Sequence, residues 1–191
     1  MGDALNRLRR HTQAAPVKVL VLLLAAACAN AEIVEQGPGG FTVRTTLNVK
    51  APPDDVYRKF MHDIGDWWNP MHTFSGDAHN LRIEDHPGGC LCEKLANNGF
   101  TRHLEVITLV PGKRLVLIGA MGPLQTLSAT GTMQFVFTPS GGGTKLDAIY
   151  AVAGYLEHGM NSWAIPVDMM IAEQVTRFKS FVETGHAEPS K

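Results

Sequence analysis

The sequence has few charged residues and almost no excess of either sign. Of its 191 residues, 17 are basic and 18 are acidic, so the formal net charge is -1, and charged residues make up only 18% of the chain. No stripe of Lys and Arg alternates with aromatic residues, as is typical of nucleic-acid-binding surfaces. We therefore expect no nucleic-acid partner. The apolar fraction of 45% favours a globular domain over a disordered chain.

Several motifs of nucleotide-binding and catalytic sites are also missing. The sequence contains no GxSxG elbow, no GxxxxGK[ST] phosphate loop, no GxGxxG after its first predicted strand and no HExxH pair. The run Gly141-Gly142-Gly143 is a hairpin turn, because no predicted helix follows it to receive a phosphate. We therefore expect neither an ATP site nor another cofactor.

Histidines are concentrated in one region, but without a metal-ligand spacing. Five histidines are interspersed with acidic residues between positions 62 and 103: His62, His72, His79, His86 and His103. Histidine and carboxylate together are ligands for zinc or non-haem iron. Most of these residues fall in predicted loops, where solvated polar side chains are common, so we expect no metal site.

Cysteine is scarce, with three residues in the chain. Cys90 and Cys92 are two positions apart and would share one face of a strand. We expect no disulfide between them, because a regular strand would have to distort to close one. The simplest interpretation is two small apolar side chains on a strand face. Soft-metal binding and redox chemistry are the alternatives.

The first 31 residues predict a secretory signal peptide. Arg7, Arg9, Arg10 and Lys18 precede the apolar run 19–27, and Ala29-Asn30-Ala31 is a small-x-small cleavage signature. The apolar run is much shorter than the ~20 residues that a transmembrane helix needs. Cleavage after Ala31 removes four of the 17 basic residues and one of the 18 acidic residues, which leaves a net charge of -4. We expect a periplasmic or secreted protein without a transmembrane helix, or alternatively a lipoprotein anchored through Cys28.

The mature chain reads as one domain at 41–184, between a Gly-rich lead-in (32–40) and a tail (185–191). Residues 41–49 alternate strictly between apolar and polar positions, which predicts a half-buried strand. A short helix is expected after Pro52-Pro53, and a second one around Ile64–Trp68. Further strands are predicted at 81–85, 90–95, 101–110, 114–120, 130–138 and 144–153, separated by turn formers.

The C-terminal segment 165–183 predicts one long amphipathic helix. Its apolar residues recur at intervals of three and four and so form one stripe: Val167, Met170, Ile171, Val175, Phe178, Phe181 and Val182. About seven antiparallel strands with such a helix predict an α+β domain, in which a curved sheet surrounds the helix.

This order of elements resembles the helix-grip fold of the START-like (SRPBCC) superfamily, and most of all its Aha-type group, the activators of a heat-shock-protein ATPase. The resemblance covers about residues 41–184. It is carried by the segments 48–57 (NVKAPPDDVY), Trp67-Trp68, 72–77 (HTFSGD), 88–93 (GGCLCE), 104–116 (LEVITLVPGKRLV) and 141–146 (GGGTKL). The resemblance implies a cavity between sheet and helix, whereas the activities of the superfamily range from lipid carriers to polyketide cyclases and co-chaperones.

We therefore expect a small apolar ligand between the sheet and the C-terminal helix. The candidate wall combines aromatic, Met and other apolar residues: Trp67, Trp68, Phe74, Met133, Phe135, Tyr150, Met170, Val175 and Phe178. One tryptophan is expected to pack under the sheet and the other to line the cavity mouth.

Two other functions stay open. A polyketide cyclase or dehydrase-like enzyme would use polar cavity residues such as His103, Glu105 or Tyr150. His103 and Glu105 share a strand face, and we expect that face to point outward, because Leu104 and Val106 make the opposite face more apolar. A protein-interaction module related to the co-chaperones would instead use the convex face of the sheet.

Overall fold

The computed structural model describes residues 30–188, in which one antiparallel sheet surrounds a long helix. The sheet has eight strands in the order β1-β2-β8-β7-β6-β5-β4-β3. The strands are β1 (Asn30–Gly37), β2 (Gly40–Val49), β3 (Leu81–Ile83), β4 (Cys90–Lys94), β5 (Phe100–Val110), β6 (Arg114–Ile118), β7 (Ser128–Ser140) and β8 (Gly143–Tyr155). The helices are α1 (Pro53–His62), α2 (Ile64–Trp67) and α3 (Ala164–Thr184), and short 3-10 turns include Pro70–His72 and Gly122–Thr126.

The predicted α+β helix-grip architecture is confirmed. All seven predicted strands are present, and the additional one, β1, lies in the segment that the sequence suggested was a lead-in. It pairs with β2 and extends the sheet by one strand. Residues 1–29 of the expected signal peptide lie outside the described residues. The expected cleavage point after Ala31 falls inside β1.

Strand β2 shows why the alternating pattern predicted this sheet well. Phe41, Val43, Leu47 and Val49 are buried, as alternation requires for one face of a pleated strand. The strand pairs with β8 over its whole length. Strand β8 in turn forms a long hairpin with β7, and both strands lie inside the sheet.

Helix α3 packs its predicted stripe against the concave face of the sheet. Val167, Ile171, Val175 and Phe178 are buried, while the other members of the stripe are partly buried against the same core. The helix ends at Gly185, whose φ of 81° is the left-handed conformation that glycine adopts readily. None of the helices within residues 30–188 is long and apolar enough to span a membrane.

Strand β5 contains a β-bulge that changes which side chains face the core. Leu91 pairs with Leu104, whereas Cys92 pairs with Arg102, so His103 is the extra residue of β5. A bulge of this kind interrupts the alternation of the strand. As a result the neighbours His103 and Leu104 are both buried, while Glu105 is half-exposed.

Opposite this bulge, strand β4 contains a disulfide between Cys90 and Cys92. The structure joins the two sulfurs, and the Cα atoms are 5.3 Å apart, within the usual range for a bridge. The expectation of no disulfide was wrong because it assumed a regular strand, in which residues two positions apart are separated by ~6.6 Å. Strand β4 is contracted here, since the two Cα atoms are only 5.3 Å apart. Both cysteines are buried.

Candidate functional site

A cavity of about 350 Å³ opens at one end of the interface between α3 and the sheet. Its walls come from the first half of α3, the segment 71–74, the strands β4 and β5, and the turn 121–124. Trp68, Phe74, Leu91, Leu124, Trp163 and Met170 supply much of its apolar surface. The volume falls within the range of about 300–1,000 Å³ that is typical of small-molecule sites.

The rest of the interface is filled by side chains. The rings of Phe60, Trp67 and Phe178 pack against one another with centroids 5.1–5.2 Å apart. Beside them lies a void of only about 20 Å³, lined among others by Met133 and Phe135. A void of this size holds at most one water molecule, so a ligand has room only at the open end.

Eight of the nine residues of the sequence-predicted wall divide between the open cavity, the small void and the packed core. Phe74 and Met170 line the open cavity, Trp68 lines both the open cavity and the small void, and Trp67, Met133, Phe135 and Val175 line the small void. Phe178 belongs to the packed core. Of the two tryptophans, Trp67 lies under the sheet and Trp68 lines the cavity, the division that the sequence suggested.

Tyr150 is the remaining predicted residue, and its hydroxyl both donates and accepts a hydrogen bond within the protein. It donates to the carbonyl of Gly119 and accepts from the amide of Met121, both at 3.1 Å. Burial raises the pKa of Tyr150 to about 12, although the hydrogen bond from Met121 opposes the rise. Tyr150 thus holds the segment that leads into the cavity turn 121–124.

Polar contacts tie the segment after α2 to α3. The amide of Asn69 donates to Gln174 Oε1 at 2.8 Å, and His72 Nε2 lies 3.0 Å from Glu173 Oε2. Burial alone would raise the pKa of Glu173, but its hydrogen bonds to Asn69 and His72 hold the pKa below its usual value. These contacts fix one rim of the cavity to the helix.

Glu93 ties the same segment to the sheet, and it is a completely buried carboxylate on β4. It accepts hydrogen bonds from the amides of Phe74 and Ser75 and lies 2.9 Å from His103 Nε2. Burial alone would raise its pKa, but the hydrogen bonds from Ser75, Phe74 and His103 outweigh burial and lower the pKa. Glu93 is therefore an anion at neutral pH that positions Phe74 on the cavity wall.

His103 lies on the cavity wall, and only 6% of it is exposed. The expectation that His103 points outward was wrong, because the bulge in β5 turns it inward. Glu105 does lie outside, where it pairs with Arg102 at 2.9 Å. The acid–base pair proposed from the sequence is thus separated, and Glu93 takes the place of Glu105 beside His103. The ring of Phe74 lies 5.4 Å from the His103 ring, between centroids.

Sequence reasoning missed Glu93 as a site residue. A carboxylate on a strand is usually solvated, and nothing in the alternation distinguishes Glu93 from an exposed residue. The sequence did contain one signal, because the segments 72–77 and 88–93 both carry the family resemblance. The fold brings these two segments together through the contacts of Glu93 with Phe74 and Ser75. Trp163 and Leu124 were missed because they lie in 3-10 turns.

A group of three side chains outside the cavity has metal-ligand chemistry. One ligand atom each from Glu84, Cys90 and Cys92 lies within 4.8 Å of the others. In the structure both sulfurs are consumed by the disulfide, so they offer no thiolate. Glu84 Oε2 lies 3.2 Å from the Cys90 sulfur, and hydrogen bonding to Arg82 contributes most to the lowered pKa of this carboxyl.

Comparison with known proteins shows the fold and no closer relationship. No protein-family model and no curated protein matches the sequence. Solved structures that are similar to most of the chain include the following three. A protein from Rhizobium leguminosarum is 18% identical, with a TM-score of 0.54, and the match covers 81% of this chain and 97% of that one. An Aha1 dimer from Colwellia psychrerythraea is 14% identical, with a TM-score of 0.53, and the match covers 75% and 97%. A conserved protein of unknown function from Enterococcus faecalis is 16% identical, with a TM-score of 0.53, and the match covers 85% and 81%.

These similarities support the resemblance that the sequence suggested. The chain has a helix-grip fold, with the long helix packed against a curved antiparallel sheet. At identities below one fifth, the similarity extends to the fold and not to activity.

Proposed function

We propose that this helix-grip protein binds a small, predominantly apolar molecule in the open cavity at the end of α3. The observation that carries the proposal is that the cavity of about 350 Å³ persists while the rest of the helix–sheet interface is closely filled. Its wall of aromatic and Met side chains is suited to apolar ligands of variable shape. Glu173 and Glu93 tie the segment 69–75 to α3 and to β4, so this wall of the cavity is held in place by the protein itself.

A pair of neighbouring methionines on α3 provides the test. Met170 lines the cavity, whereas Met169 is 67% exposed and does not line it. Met170→Trp adds an aromatic ring to the cavity, so we expect it to weaken binding of the fluorescent probe N-phenyl-1-naphthylamine at least about tenfold, a loss of ~1.4 kcal/mol. Met169→Trp is the matched control.

The measurement is a fluorescence titration of the probe into each folded variant. Equal affinities in wild type and both variants would place the probe elsewhere and would contradict the proposal. Absence of binding to the wild-type protein would contradict it as well.

The proposal includes export to the periplasm or beyond the cell. It is supported by the basic, apolar and small-residue pattern of residues 1–31. The N-terminal peptide of the protein from its host should begin at Glu32. A lipid-modified peptide beginning at Cys28 would favour the lipoprotein alternative, and an intact N-terminus would contradict export.

The inward position of His103 favours a second candidate function, that of an enzyme of the cyclase or dehydrase type. A histidine held by a buried carboxylate is suited to proton transfer with a substrate in the cavity. His103→Gln would then abolish turnover while probe binding persists. Turnover that survives this substitution would exclude His103 as the proton-transfer group.

A further inference from the structure

Among the polar side chains of the cavity wall, His103 is more than nine-tenths buried and has one ring nitrogen with only a weak hydrogen-bond partner. The polar side chains on this wall are few, and most have close partners within the protein: Trp68 Nε1 with the carbonyl of His72 (3.1 Å), Thr73 Oγ1 with the carbonyl of Pro70 (2.7 Å), and His72 Nε2 with Glu173 (3.0 Å). His103 has one close partner, Glu93, at its Nε2. Its Nδ1 has only a contact of 3.5 Å with Gln125 Nε2.

The surroundings of His103 determine which of its nitrogens carries the proton. Glu93 already accepts from two backbone amides, and its lowered pKa keeps it ionised, so it can only accept. The Nε2 atom of His103 is therefore the donor to Glu93. This contact fixes the ring orientation, as a carboxylate does for many functional histidines.

The amide of Gln125 favours Nδ1 as an acceptor. Gln125 Nε2 donates to the backbone carbonyl of Arg102 at 3.0 Å, and Gln125 Oε1 accepts from Thr101 Oγ1 at 3.1 Å. These two partners determine which end of the amide is nitrogen. That nitrogen faces His103 Nδ1, and the contact is a hydrogen bond in the tautomer whose lone pair is on Nδ1. At 3.5 Å the lone pair is only weakly engaged.

We propose that His103 Nδ1 accepts a hydrogen bond from a hydroxyl group of the bound molecule. The ligand class is then an apolar, ring-sized body that carries one phenol- or enol-like hydroxyl. This inference rests on the proposed function, because it names the chemistry of the molecule that the open cavity binds. A site built around a buried acceptor discriminates against a ligand that leaves the acceptor unpaired.

Two probes of nearly the same size and shape test the inference. 2-Naphthol and 2-methylnaphthalene differ by a hydroxyl in place of a methyl group, and each is used to displace N-phenyl-1-naphthylamine from the wild-type protein. Since a neutral hydrogen bond contributes modestly, we expect 2-naphthol to bind about three- to tenfold more tightly. Equal affinity, or tighter binding of 2-methylnaphthalene, would overturn the inference and leave the apolar cavity intact. If neither compound nor the probe binds, the proposed function fails, and this inference fails with it.

A conservative substitution assigns the preference to His103. In His103→Gln the side-chain amide nitrogen replaces Nε2 as donor to Glu93, while the Nδ1 acceptor is lost. We expect the preference for 2-naphthol to disappear and the affinity for 2-methylnaphthalene to change little. His86→Gln is the control, because His86 is an exposed residue of the β3–β4 turn that does not line the cavity. A preference that survives in folded His103→Gln would assign hydroxyl recognition to another group and overturn the inference.

A spectroscopic measurement on the wild-type protein avoids dependence on the variant's folding. Nitrogen-15 spectra of the histidine rings distinguish a protonated ring nitrogen from an unprotonated one. We expect His103 Nδ1 to be unprotonated in the free protein and its resonance to shift on addition of 2-naphthol but not of 2-methylnaphthalene. A protonated Nδ1, or the same response to both compounds, would contradict the inference.

Discussion

Glu93 has the most unusual environment of any single residue in the site. It is a fully buried carboxylate, and it is tolerated because two amides and His103 supply the hydrogen bonds that water would otherwise provide. The same contacts position Phe74 and orient His103, so one side chain organises both an apolar and a polar part of the cavity wall.

Replacing Glu93 by Gln should destabilise the protein. An amide retains one acceptor but presents its NH₂ group to donors, so we expect a loss of about 1.5–3 kcal/mol in the free energy of unfolding, measured by urea denaturation at neutral pH. Glu105→Gln is the control, because Glu105 is half-exposed and its pair with Arg102 is a surface pair. An equally small effect of both substitutions would contradict the assigned role of Glu93.

The pH dependence of the Glu93 contribution has a definite sign. The folded protein lowers the pKa of Glu93 from its ordinary value of 4.5. The stabilisation is therefore present in full above that value and is lost as the pH falls through the lower, folded-state pKa. The difference in unfolding free energy between wild type and Glu93→Gln should shrink over this acidic range. A difference that grows on acidification would have the wrong sign.

Strand β5 shows at the scale of an element what an alternating pattern can and cannot predict. The existence and pairing of the strand followed from its composition, because residues 101–110 alternate well enough to indicate a strand. The bulge at His103 did not follow, because it arises from the pairing between β4 and β5 and leaves no local mark. For that reason the sequence predicted the strand correctly but the direction of the His103 side chain incorrectly.

The disulfide of strand β4 can be tested directly. Under denaturing conditions without a reductant, we expect an alkylating reagent to leave Cys90 and Cys92 unmodified, and after reduction to modify both, as peptide mapping would show. Reduction should also raise the mass of the protein by that of two hydrogen atoms. Modification of both residues before reduction would contradict the bond between them.

The end of helix α3 depends on a glycine. Gly185 has a φ of 81°, and a Cβ added there would meet nothing within 4 Å, so the effect of Gly185→Ala is conformational and not steric. We expect a loss of about 1 kcal/mol in unfolding free energy. Gly39→Ala is the matched control, because it also has open space around it but lacks a positive φ. Equal stability of the two variants would contradict this account of the helix end.

For the whole molecule, most of the interior is a core and only one end of it is a cavity. The sequence placed nine aromatic, Met and other apolar residues between sheet and helix. Eight of them are buried or partly buried in the core, and Phe74 lines the cavity but remains 52% exposed. The sequence did not separate core residues such as Phe178 from cavity residues such as Met170. That separation depends on how neighbouring side chains fill space in three dimensions, and a periodic pattern does not encode it.

The mass of the protein purified from its native host tests the central claim most directly. Under native spray conditions we expect a species heavier than the chain by roughly 200–300 Da, a mass suited to a cavity of this size, and we expect the excess to vanish under denaturing conditions. The Met170→Trp variant should lack the excess, and Met169→Trp should retain it. An excess that is equal in both variants, or a wild-type protein that carries no excess and binds no apolar probe, would contradict the account.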